Sequence, residues 1–140
     1  MQIKLMETFD IDALKRLYKS VHWTVYLDSP SRFKEMFKRS LCVLGAYEGE
    51  ELVGLVRVVG DNAHILYIQD IIVDPAHQRK GIGTKLFEEV LSRFAHVRQK
   101  VLMTDLEDVR AHAFYKKFGF HETTEKGVTC FVRFDKSARS

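Results

Sequence analysis

Residues 41–75, "LCVLGAYEGEELVGLVRVVGDNAHILYIQDIIVDP", admit few architectures. They hold three apolar runs rich in β-branched residues, parted by "EGEE" and "GDNA". Both separators are short, polar and glycine-bearing, as hairpin turns are, so the runs are expected to form an antiparallel meander. The third run ends at Asp74-Pro75 and is followed by "AHQRKGIGTKLFEEVL", where Leu86, Val90, Leu91 and then Phe94, with Ile82 just ahead, share one helical face over residues 83–95. A short strand, "KVLMTD", comes next. A helix that joins two strands of one sheet by a right-handed crossover makes those strands parallel. The spacing therefore predicts a mixed α/β fold whose sheet is antiparallel except at that pair.

The flanking segments fill in the rest. "QIKLME" alternates as a short edge strand does. "FDIDALKRLYKSV" carries Ile11, Leu14, Leu17, Tyr18 and Val21 at helical spacing behind a capping Asp10, and a second helix with Phe33, Met36 and Phe37 is expected to begin near Ser31. The connection between them, "HWTVYLDSP", is unusually aromatic. Beyond "KVLMTD" a helix over residues 108–118 should stop at Gly119, followed by a closing pair of strands around "FHETTE" and "VTCFVRF". With no repeat, low-complexity tract or linker, residues 1–140 are expected to be one domain, long enough for a core without disulfides or metal.

Composition narrows the function classes. With 22 basic against 19 acidic residues the chain is too balanced for a dedicated nucleic-acid binder, although a polyanionic small molecule is compatible. No apolar run approaches the roughly 18–20 residues of a membrane span. "MQIKLMETFD" turns polar and acidic too early for a signal peptide, so a cytoplasmic location is expected. Cys42 and Cys130 lie in strand-like apolar segments and read as reduced packing residues, and the histidines show no metal-type spacing, so no metal is expected.

The glycines at the helix start need a reason, because glycine costs helix stability. A P-loop requires a four-residue spacer and a Gly-Lys pair, neither of which "QRKGIGTK" has. A dinucleotide fingerprint read from Gly81 fails at Leu86, where the third glycine should stand. What remains is a helix start whose backbone N–H groups, from Arg79, Lys80, Gly81, Ile82, Gly83 and Thr84, converge on a pyrophosphate unobstructed by side chains. Arg79, Lys80 and Lys85 add charge. The alternative is that Gly81 serves a tight turn and Gly83 a close contact between helix and sheet.

The stretch "VDPAHQRKGIGTKL" resembles the coenzyme-A loop of the GNAT superfamily of N-acetyltransferases, Gln/Arg-x-x-Gly-x-Gly/Ala, with Gln78, Gly81 and Gly83 in place. "DVRAHAFYKKFGF" resembles the second motif of that superfamily, with Asp108, Ala111, Tyr115, Gly119 and Phe120 at its positions. Asp108 stands where the family often has Asn, which removes a neutral amide donor. The resemblance implies a central twisted, mostly antiparallel sheet with a splayed parallel strand pair and about four flanking helices. It also implies acetyl-CoA as co-substrate, its pantetheine arm hydrogen-bonded to the backbone of Ile71, Ile72 and Val73 in the splay, with Asp108 and Tyr115 contributing from the second motif.

Tyr115 matches the position of the family's general acid, and a phenol is a chemically sensible donor to a departing thiolate. Gln69-Asp70 resembles the x-Asp pair many members carry on the strand before the loop. Side chains alternate along a strand, so Gln69 and Asp70 cannot both serve one site unless a bulge intervenes. If Asp70 faces the cleft it takes the amine proton directly or through water. If it faces away, Tyr67 and Gln69 line the site, a water relay deprotonates the amine, and a buried partner such as Arg57 explains the acid. In this superfamily the connection between the first two helices covers the acceptor end, which assigns His22, Trp23 and Tyr26 to the acceptor, with Asp28 available to a cationic one. The expected reaction is acetyl transfer to the primary amine of a small molecule. A protein or peptide amine, or acyl-CoA sensing without catalysis, are the rivals. The resemblance leaves room for a homodimer built through the final strands.

Overall fold

In the computed structural model, which describes residues 1–135, the chain divides into two compact units, Met1–Leu102 and a second from Met103 onward. The first holds strands β1 (Gln2–Leu5), β2 (Cys42–Glu48), β3 (Glu51–Gly60), β4 (Ile65–Val73) and β5 (Gln99–Leu102), with helices α1 (Ile11–Ser20), α2 (Pro30–Lys38) and α3 (Ile82–Arg93). The second holds α4 (Val109–Lys117) and a short 3-10 turn at Thr123–Lys126. No helix among the described residues is long and apolar enough to cross a membrane.

The sheet runs in the order β1-β2-β3-β4-β5. Every neighbouring pair is antiparallel except β4 and β5, which are parallel and joined through α3, as the crossover rule requires. Helix starts follow the side chains available to them. Asp10 caps α1 by accepting from Ala13 N–H, and Ser29 caps α2 by accepting from Arg32 N–H, with Pro30 in the first turn, so that α2 begins one residue earlier than its periodicity suggested.

One face of the sheet, carrying Val43, Leu52, Leu55 and Ile72, forms a core with Leu14, Leu17, Tyr18, Phe33 and Phe37 from α1 and α2. The rings there meet edge to face, with centroids 5.3 Å apart for Tyr18 and Phe33 and 4.9 Å for Phe33 and Phe37. Helix α3 buries Ile82, Leu86, Phe87 and Val90. It packs closely on the sheet at Gly54 on β3, where a Cβ would stand 3.1 Å from Leu86 Cδ1 and 3.2 Å from Ile82 Cγ2.

Strand β5 pairs with β4 only over Ile65–Ile68, matched to Gln99–Leu102. Residues 69–73 of β4 run on with a partner on the β3 side alone, which is the splay. The closing strands are a correction. The segment around "FHETTE" contains the 3-10 turn, ended by Gly127 at φ 78°, and "VTCFVRF" forms no strand among the described residues. Its alternating apolar residues are exposed, Phe131 at 91% and Phe134 at 81%. Alternation marks a segment able to be a strand, but the strand itself is made by the ladder beside it, and none is paired with this one.

Candidate active site

The loop between β4 and α3 is held in shape by its own side chains. Asp74 Oδ1 accepts from Ala76 N–H at 2.9 Å, and Gln78 Nε2 donates to Val73 O at 3.1 Å, tying the loop to the end of β4. Arg79 at φ 66° and Gly81 at φ 80° are both left-handed. For Arg79 that conformation costs about 1 kcal/mol, so the loop retains a locally unfavourable shape that aims its backbone. The first bond of α3 runs from Lys85 N–H to Gly81 O, which leaves the N–H groups of Ile82, Gly83 and Thr84 without an intrahelical partner.

The two glycines have separate reasons. Gly81 meets nothing within 4 Å and is required by its φ. A Cβ on Gly83 would meet only Val73 Cγ2, at 3.6 Å, an ordinary contact. The close contact between helix and sheet falls to Gly54, so packing within the protein does not call for glycine at position 83. The N–H groups of Ile82, Gly83 and Thr84, without an intrahelical partner, fit an anionic group approaching the helix start. Ile82 is buried, while Arg79 and Lys80 are exposed beside the loop.

The open edge of β4 can be resolved residue by residue. Asp74 N–H donates to Val53 O, so by alternation Ile72 turns its polar groups to β3, while Ile71 and Val73 turn theirs to the side that β5 has left. Of the three residues expected to meet the pantetheine arm, Ile71 has both backbone groups available on that edge and Val73 its N–H, the Val73 oxygen already accepting from Gln78.

The register of β3 and β4 slips between Arg57 and Val58, which face Asp70 and Ile68, so Gln69 is the extra residue of a bulge. The condition for Gln69 and Asp70 to serve one place is met: both reach the hydroxyl of Tyr26. Asp70, 1% exposed, accepts from Tyr26 Oη at 2.7 Å through Oδ1, and from Tyr18 Oη at 2.8 Å and Arg57 Nε at 2.7 Å through Oδ2. Arg57, itself 6% exposed, is thus the buried partner named as the structural explanation for the acid, and it also donates to Ser40 Oγ. Gln69 is exposed and donates through Nε2 to Tyr26 Oη at 3.0 Å. Burial, then the charge of Asp70, pushes the Tyr26 phenol up to about 12 and the Tyr18 phenol well above its ordinary value. Both stay protonated donors to the carboxylate at neutral pH.

The connection between α1 and α2 folds over this network. Tyr26 stacks edge-on against Tyr18 with ring centroids 5.2 Å apart, and Trp23 does so at 6.4 Å. His22 is exposed at φ 63°, and Asp28 is exposed at the end of the 3-10 turn Thr24–Leu27. Tyr67, half-buried, stands two residues before Gln69 on the same strand. Tyr18 was legible only as a core residue of α1; the available signal was that a tyrosine, not a phenylalanine, sat on a buried helical face, and a buried hydroxyl needs a partner.

In the second unit, Asp108 Oδ1 accepts from Ala111 N–H at 3.0 Å and caps α4, a task its carboxylate performs as an Asn would. Burial, then the charge of Asp108, raises the Tyr115 phenol to about 12, and its ring lies 5.4 Å from that of Phe114.

Residues 9–120 match the model of the acetyltransferase (GNAT) family. Among solved structures, a GNAT-family acetyltransferase from Streptococcus pneumoniae TIGR4 is similar at 30% identity and a TM-score of 0.85, covering 96% of this chain and 98% of that one. An aminoglycoside N-acetyltransferase in complex with CoA shares the fold at 16% identity and a TM-score of 0.71, covering 96% and 99%. A histone acetyltransferase from Glycine max is 31% identical over 78 residues, 56% of this chain. The chain spans about a third of the length of that curated relative.

Proposed function

From its membership of the acetyltransferase (GNAT) family, to which the chain belongs on a match over residues 9–120, we propose that it moves an acetyl group from acetyl-CoA to the primary amine of a small molecule in the cytoplasm. The observation that carries this is the glycine loop, where the N–H groups of Ile82, Gly83 and Thr84 have no intrahelical partner at the start of α3 and packing does not require glycine at position 83. The loop from Gln78 to Thr84 takes the pyrophosphate, and the backbone of Ile71 and Val73 takes the amides of the pantetheine arm. Acetyl-CoA supplies the acetyl group as a thioester, which an uncharged amine can attack with loss of the sulfur as thiolate. Tyr115 gives its proton to the departing sulfur, and water takes the proton of the amine. A phenol at about 12 against a thiol near 8.5 makes the first transfer uphill by about 5 kcal/mol, well inside the roughly 16 kcal/mol barrier of an enzyme turning over about ten times a second. Asp70, shielded from direct contact with an acceptor, acts through Tyr26. Trp23, Tyr26, Tyr67 and Gln69 line the acceptor end, with His22 at its rim.

The fold shared with the aminoglycoside N-acetyltransferase supports a small-molecule acceptor, whereas likeness to the soybean histone acetyltransferase favours a protein amine as the second reading. Calorimetric titration with acetyl-CoA, followed by thiol release across aryl-alkyl amines, polyamines, amino sugars and lysine peptides, tests both. Release with the small amines and not the peptides is expected. Peptide turnover alone would establish the second reading, and absence of acetyl-CoA binding would overturn both.

A further inference from the structure

The hydrogen bonds around Tyr26 fix which end of the Gln69 amide faces outward. Asp70 is a buried carboxylate paired with Arg57, so it has no proton to give. Its 2.7 Å contact with Tyr26 therefore uses the single hydrogen of the phenol. In its 3.0 Å contact with Gln69 the Tyr26 oxygen can only accept, and the donor must be the NH2 of the amide. This orientation follows from the count of protons and does not depend on telling nitrogen from oxygen by position. The carbonyl oxygen of Gln69, on an exposed side chain at the bulge, is turned away from Tyr26.

We infer that Gln69 Oε1 receives an N–H of the acceptor, and that Asp70, through Tyr26, is the positioning residue that sets this polarity; the assignment of an acceptor rests on the acetyltransferase function proposed above. The chemistry that fits is an amine with hydrogen to donate. A neutral carbonyl suits the task better than a carboxylate would, because a negative charge beside the amine holds it in the ammonium form, which cannot attack. The chain Arg57–Asp70–Tyr26–Gln69 thus converts a buried ion pair into a fixed, uncharged acceptor at the surface of β4.

Two measurements test this. The first is the side-chain amide resonances of Gln69 in the whole chain, assigned by their loss in Gln69→Leu and needing no acceptor. In Tyr26→Phe they are expected to move to the shifts and exchange rates of a solvent-exposed amide; resonances left in place would overturn the polarity. The second is steady-state kinetics with 2-phenylethylamine and spermidine. A hydrogen bond to an uncharged amine is worth about 1 kcal/mol. Gln69→Leu should therefore raise the amine KM about 5-fold, with acetyl-CoA affinity held, and Tyr26→Phe added to it should raise KM little further, since both act through one amide. An unchanged KM, or effects that add in full, would overturn the acceptor role. If the wild-type chain binds no acetyl-CoA, the acetyltransferase function fails and the acceptor role with it, while the resonances still decide the polarity of the amide.

Discussion

Replacing Gly83 with alanine should raise stability and leave coenzyme binding in place. Gly83 is the second residue of α3, and the only atom a Cβ would meet is Val73 Cγ2 at 3.6 Å, so the methyl group fits. Alanine loses less backbone entropy than glycine on entering a helix, a gain of about 0.5 kcal/mol so near the helix start. With a urea slope of roughly 1–3 kcal/mol/M, the midpoint of unfolding should rise by about 0.2–0.5 M. The coenzyme-loop pattern that Gln78, Gly81 and Gly83 match admits alanine at this last position, so the N–H groups of Ile82 to Thr84 should stay accessible and the dissociation constant for acetyl-CoA should stay within about threefold, a change below about 0.7 kcal/mol. Urea unfolding of the free protein and calorimetric titration with acetyl-CoA read the two effects separately. A variant less stable than wild type would show that glycine is there for packing after all. A variant whose coenzyme affinity fell 10-fold or more would show that position 83 needs the clearance of glycine.

Asp70→Asn strands the buried Arg57 charge and should destabilise the fold by about 3–5 kcal/mol in denaturant unfolding; a loss below about 1 kcal/mol would mean the pair is not desolvated as its burial indicates. Tyr115→Phe should lower turnover at neutral pH while leaving acetyl-CoA affinity within about twofold of wild type, and unchanged turnover across pH would discard the phenol as proton donor. Because Tyr18, Tyr26 and Tyr115 have folded-state values raised above an unfolded value near 10, their contribution to stability is full below that pH and is lost as pH climbs above it, toward about 12 for Tyr26 and Tyr115. Phenolate absorbance followed against pH should show these groups ionising late and together with unfolding; a single titration of all five tyrosines near 10 would contradict the burial of the network.

The local order of the chain was written in its sequence. Hairpin turns at "EGEE" and "GDNA", the capping Asp10 and the stop at Gly119 act over a few residues, and the crossover that makes β4 and β5 parallel follows from the contiguous order of strand, helix and strand. The motif around Gln78, Gly81 and Gly83 pointed to coenzyme A because loop and helix start are contiguous. What depended on distant partners was not legible. "VTCFVRF" has the alternation of a strand and is none among the described residues, since pairing lies outside its own pattern. The roles of Gln69 and Asp70 hung on a bulge that only the register of β3 against β4 creates. Gly83 could have been packing or clearance until Gly54, far away in sequence, proved to be the glycine that α3 rests on. Tyr18, Tyr26, Arg57 and Asp70 come from four separate elements to share one carboxylate. Sequence records short-range propensities, but which proton is shared with which oxygen is settled only once the elements have packed.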